Sequence, residues 1–83
     1  MSKKRTRTQI LAEILAICQE GNVNKTKIVY QANLNFQNAG YFLDMLIAKG
    51  LLEDTRDKLI LYKTTVKGKQ ALKNLKNTED ICS

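Results

Sequence analysis

The spacing of apolar residues predicts a helix near the start of the chain. Between residues 10 and 18 apolar positions recur every three or four residues, which places them on one helical face. Thr8 is expected to cap this helix, and Gly21 to end it. Its apolar face spans about 160°, against a usual stripe of about 100°. Such a face is wider than one small core needs, and this predicts contact with a second chain.

Two further helices are predicted with a tight turn between them. Asn24 is expected to cap a helix over residues 25–32, and Asn35 a longer one over residues 35–49. Gly50 is expected to end the longer helix in a left-handed conformation. Two helices joined by a turn of three or four residues form a helix-turn-helix unit.

A hairpin and a last helix are predicted after this unit. Residues 51–54 and 59–63 are candidate strands around a polar tip at 55–58, and residues 22–23 are a candidate third strand. Thr65 is expected to cap the last helix, which is expected to end near Asn77. The prediction is a mainly α domain at 8–77 with a small β-hairpin, a flexible basic arm at 1–7 and a short polar tail at 78–83.

Positive charge is concentrated in two segments of the chain. Its 83 residues include 14 Lys and Arg and 8 Asp and Glu, for a net charge of +6. Residues 1–8 carry +4 and residues 58–76 carry +6, whereas residues 9–57 carry −2. This distribution favours a polyanionic partner such as nucleic acid. A merely solubilising surface is the alternative.

Several classes of function find no support in the composition. The chain has no His and only two Cys, which argues against an enzyme, a metal site or a cofactor. Cys18 is expected to be a buried, inert thiol, and Cys82 lies in the tail. No apolar run approaches the length of a membrane span, and no small-molecule effector is evident. The expected location is the cytoplasm.

Three segments resemble known proteins. Residues 34–43 resemble the start of a winged-helix recognition helix, and residues 49–52, Lys-Gly-Leu-Leu, resemble the run that leads into the wing. Residues 62–68, Tyr-Lys-Thr-Thr-Val-Lys-Gly, resemble the start of the helix after the wing. In this order the three segments resemble the winged helix-turn-helix fold. A fourth segment, residues 28–34, resembles small archaeal regulators, including the archaeal "ten-a" DNA-binding proteins. The resemblance implies a dimeric protein that binds double-stranded DNA.

The candidate base-reading residues follow from the helical faces of residues 35–49. If Ala39, Leu43 and Leu46 face inward, the outward side chains include Gln37, Asn38 and Tyr41. Gln and Asn pair with adenine in the major groove, and Tyr41 has the reach for a phosphate or a thymine methyl group. An ordinary solvated first turn is the alternative.

Three other residues of this helix bear on contact with DNA. Phe36 is expected in the core, although contact with sugars is the alternative. Gly40 either lets a phosphate or a helix backbone approach closely, or reflects close packing or sequence drift. Asp44 repels phosphate and therefore limits how far along the helix DNA extends.

Basic residues at three places are candidates for phosphate or wing contacts. They lie in the arm, in the first turn of the second helix and at the hairpin tip: Lys3, Lys4, Arg5, Arg7, Lys25, Lys27, Arg56 and Lys58.

The sequence thus predicts a homodimeric transcriptional regulator that binds double-stranded DNA. The homodimer is expected to form through the first helix, the last helix or both. The alternatives are a winged-helix protein-interaction module and a non-specific architectural DNA binder. Binding of single-stranded nucleic acid is less favoured, because the few aromatic residues form no stacking platform.

Overall fold

Four helices and a two-stranded antiparallel hairpin form the fold, which confirms the predicted class. The computed structural model describes residues 6–55 and 58–82, with the side chains of 6–55 and 58–74. In chain order the elements are α1 (Arg7–Cys18), α2 (Lys25–Ala32), α3 (Phe36–Ala48), β1 (Leu52–Asp54), β2 (Tyr62–Thr64) and α4 (Val66–Cys82).

Helix α1 begins earlier than predicted because a different threonine caps it. The Gln9 backbone N–H donates to the Thr6 hydroxyl over 3.1 Å, and the Thr6 N–H donates to the Gln9 side-chain oxygen over 2.8 Å. This reciprocal capping box satisfies two backbone donors that the helix itself leaves unpaired. The prediction of Thr8 as the cap was wrong, and Arg7 is the first residue of α1.

The helix-turn-helix unit is capped as predicted. The Asn24 side chain accepts from the Lys27 backbone N–H over 2.8 Å, and that of Asn35 accepts from Asn38 over 2.7 Å. Asn33 closes α2 in the left-handed conformation, with φ of 56°. Three consecutive residues therefore reverse the chain and set the start of α3 directly after α2.

Thr65 ties the end of α3 to the start of α4. Its hydroxyl donates to the Gly50 carbonyl over 2.7 Å and accepts from the Gly68 N–H over 3.0 Å. A Cβ atom at Gly68 would overlap the Leu51 carbonyl oxygen and lie 2.7 Å from the Thr64 methyl group. The close approach of α4 to Leu51 therefore requires glycine at position 68.

The second strand begins later than predicted. β1 and β2 pair with Leu52 opposite Thr64, and β2 starts at Tyr62. The Thr55 hydroxyl donates to the Leu59 carbonyl over 3.1 Å and accepts from the Leu61 N–H over 3.0 Å. These bonds close the loop at its base and leave Leu59 in the tip, so the predicted strand at 59–63 was wrong in its first three residues.

A third short strand segment joins the hairpin through Val23. The Val23 N–H donates to the Tyr62 carbonyl over 3.0 Å, and the Tyr62 N–H donates back over 2.7 Å. This isolated bridge confirms the candidate segment at 22–23. It attaches the chain between α1 and α2 to the wing.

One core holds these elements together. Its buried side chains come from α1, the Val23 bridge, α2, α3, β1 and α4: Ile14, Leu15, Cys18, Val23, Ile28, Phe42, Leu43, Leu46, Leu52 and Leu72. The buried Thr64 hydroxyl donates to the Leu15 carbonyl over 2.7 Å and fixes β2 on α1. Ile10, Leu11 and Ile17 pack partly buried against this core. Much of the wide apolar face of α1 is therefore covered within one chain.

Helix α4 is longer than predicted. It continues through Asn77 to Cys82, so the expected end near Asn77 was wrong. No Gly or Pro follows Gly68 in the sequence, so no strong helix breaker stands at 77. The segment from 78 to 82, expected as a tail, belongs to the helix.

The Gly68→Ala variant is expected to lose about 1–3 kcal/mol of unfolding free energy. The added methyl group meets the Leu51 carbonyl, and this overlap outweighs the roughly 1 kcal/mol that Ala normally gains over Gly within a helix. Lys69→Ala, at the exposed neighbouring position, is the control and is expected to be nearly neutral. Chemical denaturation measures both, and equal stability of the two variants would contradict the close contact.

Candidate nucleic-acid interface

Helix α3 presents a polar outer face. Ala39, Phe42, Leu43 and Leu46 are buried, whereas four side chains are exposed as predicted, namely Gln37, Asn38, Tyr41 and Asp44. At about 100° per residue, Gln37, Tyr41 and Asp44 lie along the middle of the exposed side. Asn38 lies on one flank, and Phe36 and Gly40 lie on the other. The three predicted base-reading residues therefore share the outer face, with Asn38 off its centre.

Lys25 and Lys27 point in different directions. The Lys25 side chain is half-buried, and its Nζ atom lies 5.5 Å from the centroid of the Phe36 ring. Lys27 is exposed, as residues two apart on a helix do not share a face. It lines a groove of about 500 Å³ between the end of α1 and α2, together with Glu20 and Gln31. The structure thus brings Lys25, and not Lys27, onto the first turn of α3.

Phe36 lies outside the core. Its side chain is 53% exposed, so the expectation of a core position was wrong. As the first residue of α3 it faces the Lys25 ammonium group, which favours the face of an aromatic ring. The two residues are far apart in sequence, so no local periodicity indicates this contact.

Negative charge lies towards the other end of the outer face. Burial raises the pKa of the Tyr62 hydroxyl above its ordinary value, and the carboxylates of Asp54 and Asp44 raise it further. Asp44 of α3 and Asp54 of β1 therefore act on the same tyrosine at the base of the wing. That Asp44 limits where a polyanion lies along α3 stays a prediction.

The remaining candidate cations are more scattered. Lys58 is exposed at the hairpin tip, next to the exposed side chains of Leu59 and Ile60. Arg7 is exposed in the first turn of α1. The other candidates lie outside the described residues: Lys3, Lys4, Arg5 and Arg56.

Cys18 has the environment of an inert thiol, as predicted. It is fully buried, and burial raises the pKa of its thiol to about 12. Cys82 lies at the end of α4, and its side chain is outside the described part of the chain. Within residues 6–55 and 58–74, no cluster of three or more His, Cys, Asp or Glu side chains is suited to a metal ion. None of the described helices is long and apolar enough to cross a membrane.

Comparison with known proteins places this architecture in a family. The profile of a family described as winged helix-turn-helix matches residues 4–83. The chain belongs to the winged helix-turn-helix family. In its terms, α2 and α3 are the helix-turn-helix, and β1 and β2 with their loop are the wing.

One curated relative is an uncharacterised protein from the archaeon Methanocaldococcus jannaschii. The two sequences are 38% identical over 58 residues, which cover 70% of this chain. The match covers 60% of the relative, so this chain corresponds to less than two thirds of the relative's length.

Solved structures share the fold of this winged helix. Sso10a-2, a DNA-binding protein from Sulfolobus solfataricus, superposes with a TM-score of 0.85 at 28% identity, covering 93% of this chain and 81% of that one. ZitR from Lactococcus lactis, in complex with DNA, gives 0.75 at 18% identity, covering 93% and 54%. AdcR from Streptococcus pyogenes gives 0.75 at 16%, covering 95% and 59%. The expected resemblance to archaeal winged-helix proteins is confirmed, and the two bacterial matches show the fold alone.

Proposed function

We propose that this winged helix binds double-stranded DNA in the cytoplasm as a transcriptional regulator. The proposal rests on the first half of α3, where Gln37, Asn38 and Tyr41 are exposed and the ammonium group of Lys25 lies over Phe36 on one flank. Neither α2 nor α3 has an acidic residue in its first turn. Family membership and the likeness to a DNA-binding protein from Sulfolobus solfataricus support the same function.

In this proposal α3 reads bases in the major groove. Gln37 lies in the middle of the outer face, and its amide pairs with adenine through two hydrogen bonds. Asn38 approaches from one flank, and Tyr41, one turn along, contacts a phosphate or a thymine methyl group. Asp44 keeps the DNA towards the start of the helix, since its carboxylate repels phosphate.

Cations around α3 contact the phosphates in this proposal. Lys25 and Lys27 bind the DNA backbone near the helix-turn-helix, where they fix its position without reading the sequence. The wing and the arm add contacts further out, through Lys58, Arg56, Lys3, Lys4, Arg5 and Arg7.

The surface of α3 argues against the alternative function, which is a protein-interaction module. A neutral patch at the start of α3 would favour such a module. Instead Lys25 lies there, and Lys27 follows in the first turn of α2. The polar amides of Gln37 and Asn38 are also better suited to base edges than to an apolar partner.

Two variants of the helix-turn-helix are expected to lose DNA affinity in different ways. Gln37→Ala should cost about 1–3 kcal/mol on a selected duplex and less on other sequences, because it removes a base contact. Lys27→Ala should weaken binding to all duplexes alike, because phosphates carry no sequence information. Titrations by fluorescence anisotropy measure both, with Gln19→Ala, an exposed amide at the end of α1, as the control.

The same titrations at about 50 and about 200 mM salt test the electrostatic part. Roughly six phosphate contacts give a slope of log K against log salt of about −5. Binding that is insensitive to salt would contradict the proposed function. Equal losses on all sequences for Gln37→Ala would instead identify a non-specific architectural binder.

We further propose that the protein acts as a homodimer. A two-fold dimer places two recognition helices on half-sites about 34–36 Å apart, which suits a palindromic site. The length of α4, which extends to Cys82, supports an interface through this helix, and Val66 at its start is 75% exposed. Much of the apolar face of α1 is already covered within one chain, so α1 is the weaker candidate for the dimer interface.

Sedimentation equilibrium without DNA tests the homodimer. The expected result is twice the mass of one chain, with an interface near the standard size of about 800 Å² per partner. A monomer at every concentration measured would exclude a dimer in the absence of DNA.

A further inference from the structure

Gly40 leaves an open position on α3 that the Lys25 side chain fills. A Cβ atom built at Gly40 would lie 3.2 Å from Lys25 Nζ and 3.9 Å from its Cε. Apart from the neighbouring residues Ala39 and Tyr41, no other described side chain lies within 4 Å of that point. The glycine is therefore not needed for packing between helices, and the atoms that use its space belong to one lysine.

Phe36 borders the same position. It lies one turn before Gly40 on the same flank of α3, and the Lys25 ammonium is 5.5 Å from its ring centroid. The ammonium group thus lies between the Phe36 ring and the helix surface at Gly40, which has no side chain. We call Phe36 and Gly40 the lysine seat.

The lysine seat lies next to the residues proposed to read bases. Gln37 follows Phe36, and Tyr41 follows Gly40, so the seat runs along the edge of the α3 outer face.

Glycine within a helix is unfavourable compared with alanine, so its presence here costs stability. A free lysine loses much side-chain entropy when it binds, and a lysine already held in place loses less.

We propose that Gly40 is a positioning residue, which with Phe36 holds the Lys25 ammonium against the start of α3 to meet a DNA phosphate beside the bases that α3 reads. The proposal rests on the proposed function. It gives Lys25 a different role from Lys27, which is exposed and lines the groove between the end of α1 and α2.

The seat predicts opposite effects of one variant on stability and on DNA binding. In Gly40→Ala the new methyl group meets only the flexible end of Lys25, which has to shift by a few tenths of an ångström. The helix then gains the propensity of alanine, so the melting temperature should rise or stay equal. The affinity for duplex DNA should fall by up to about threefold, because the displaced ammonium group meets its phosphate less well, whereas the salt slope should change little because the lysine charge remains.

A double-mutant cycle assigns the effect to Lys25. Lys25→Ala should reduce affinity more than Gly40→Ala, and the double variant should lose little more than Lys25→Ala alone. Phe36→Leu, which removes the ring but keeps an apolar side chain, should give a smaller loss of the same kind. Additive losses would mean that the methyl group at position 40 hinders DNA directly, which would overturn the role of the seat.

A measurement without DNA tests the seat itself. In the NMR spectrum of the free protein, the Lys25 ε-methylene protons should be shifted by the Phe36 ring current. Phe36→Leu should remove this shift, and Gly40→Ala should change it. Ordinary lysine shifts in the wild type would overturn the seat even if the protein binds DNA. A shifted Lys25 together with unchanged DNA affinity in Gly40→Ala would overturn its positioning role and leave the proposed function standing. Failure of the wild type to bind any duplex would contradict the proposed function and the positioning role together.

Discussion

The burial of one face of α3 determines which side chains its opposite face exposes to a partner. Ala39, Leu43 and Leu46 are almost fully enclosed in the core, so rotation of α3 about its axis would expose apolar surface to water. That constraint sets Gln37 and Tyr41 on the outside. The Asn35 cap and the hydrogen bond from the Thr65 hydroxyl to the Gly50 carbonyl fix the two ends of the helix. The orientation of the outer face is therefore a consequence of packing on the opposite face.

Charge is graded along that outer face. At its start the Lys25 ammonium lies over Phe36, and at its far end the carboxylates of Asp44 and Asp54 act on Tyr62. A polyanion is attracted to the first end and repelled from the second. In the proposed complex with DNA, this difference favours a position of the duplex near the start of α3.

Local signals predicted most of the fold from the sequence. Asn24 and Asn35 identified their helices because a cap bonds to a backbone group only a few residues away. The errors arose where contacts are less local or where signals compete. Thr6 and Thr8 are both capping residues, and only the partnership with Gln9 distinguishes them. The start of β2 depends on Thr55 bonding across the loop to Leu59 and Leu61. The outward faces of Gln37, Asn38 and Tyr41 followed from periodicity, whereas the contact of Lys25 with Phe36 needs the packing of α2 on α3.

In the proposed function, the first half of α3 is the surface that meets DNA. Titration of ¹⁵N-labelled protein with a short duplex, followed by NMR, tests it residue by residue. The largest amide and side-chain shifts are expected at Gln37, Asn38, Tyr41 and the first turn of α2, with small changes at the end of α3. Shifts confined to α4 or to α1, with α3 unchanged, would contradict it.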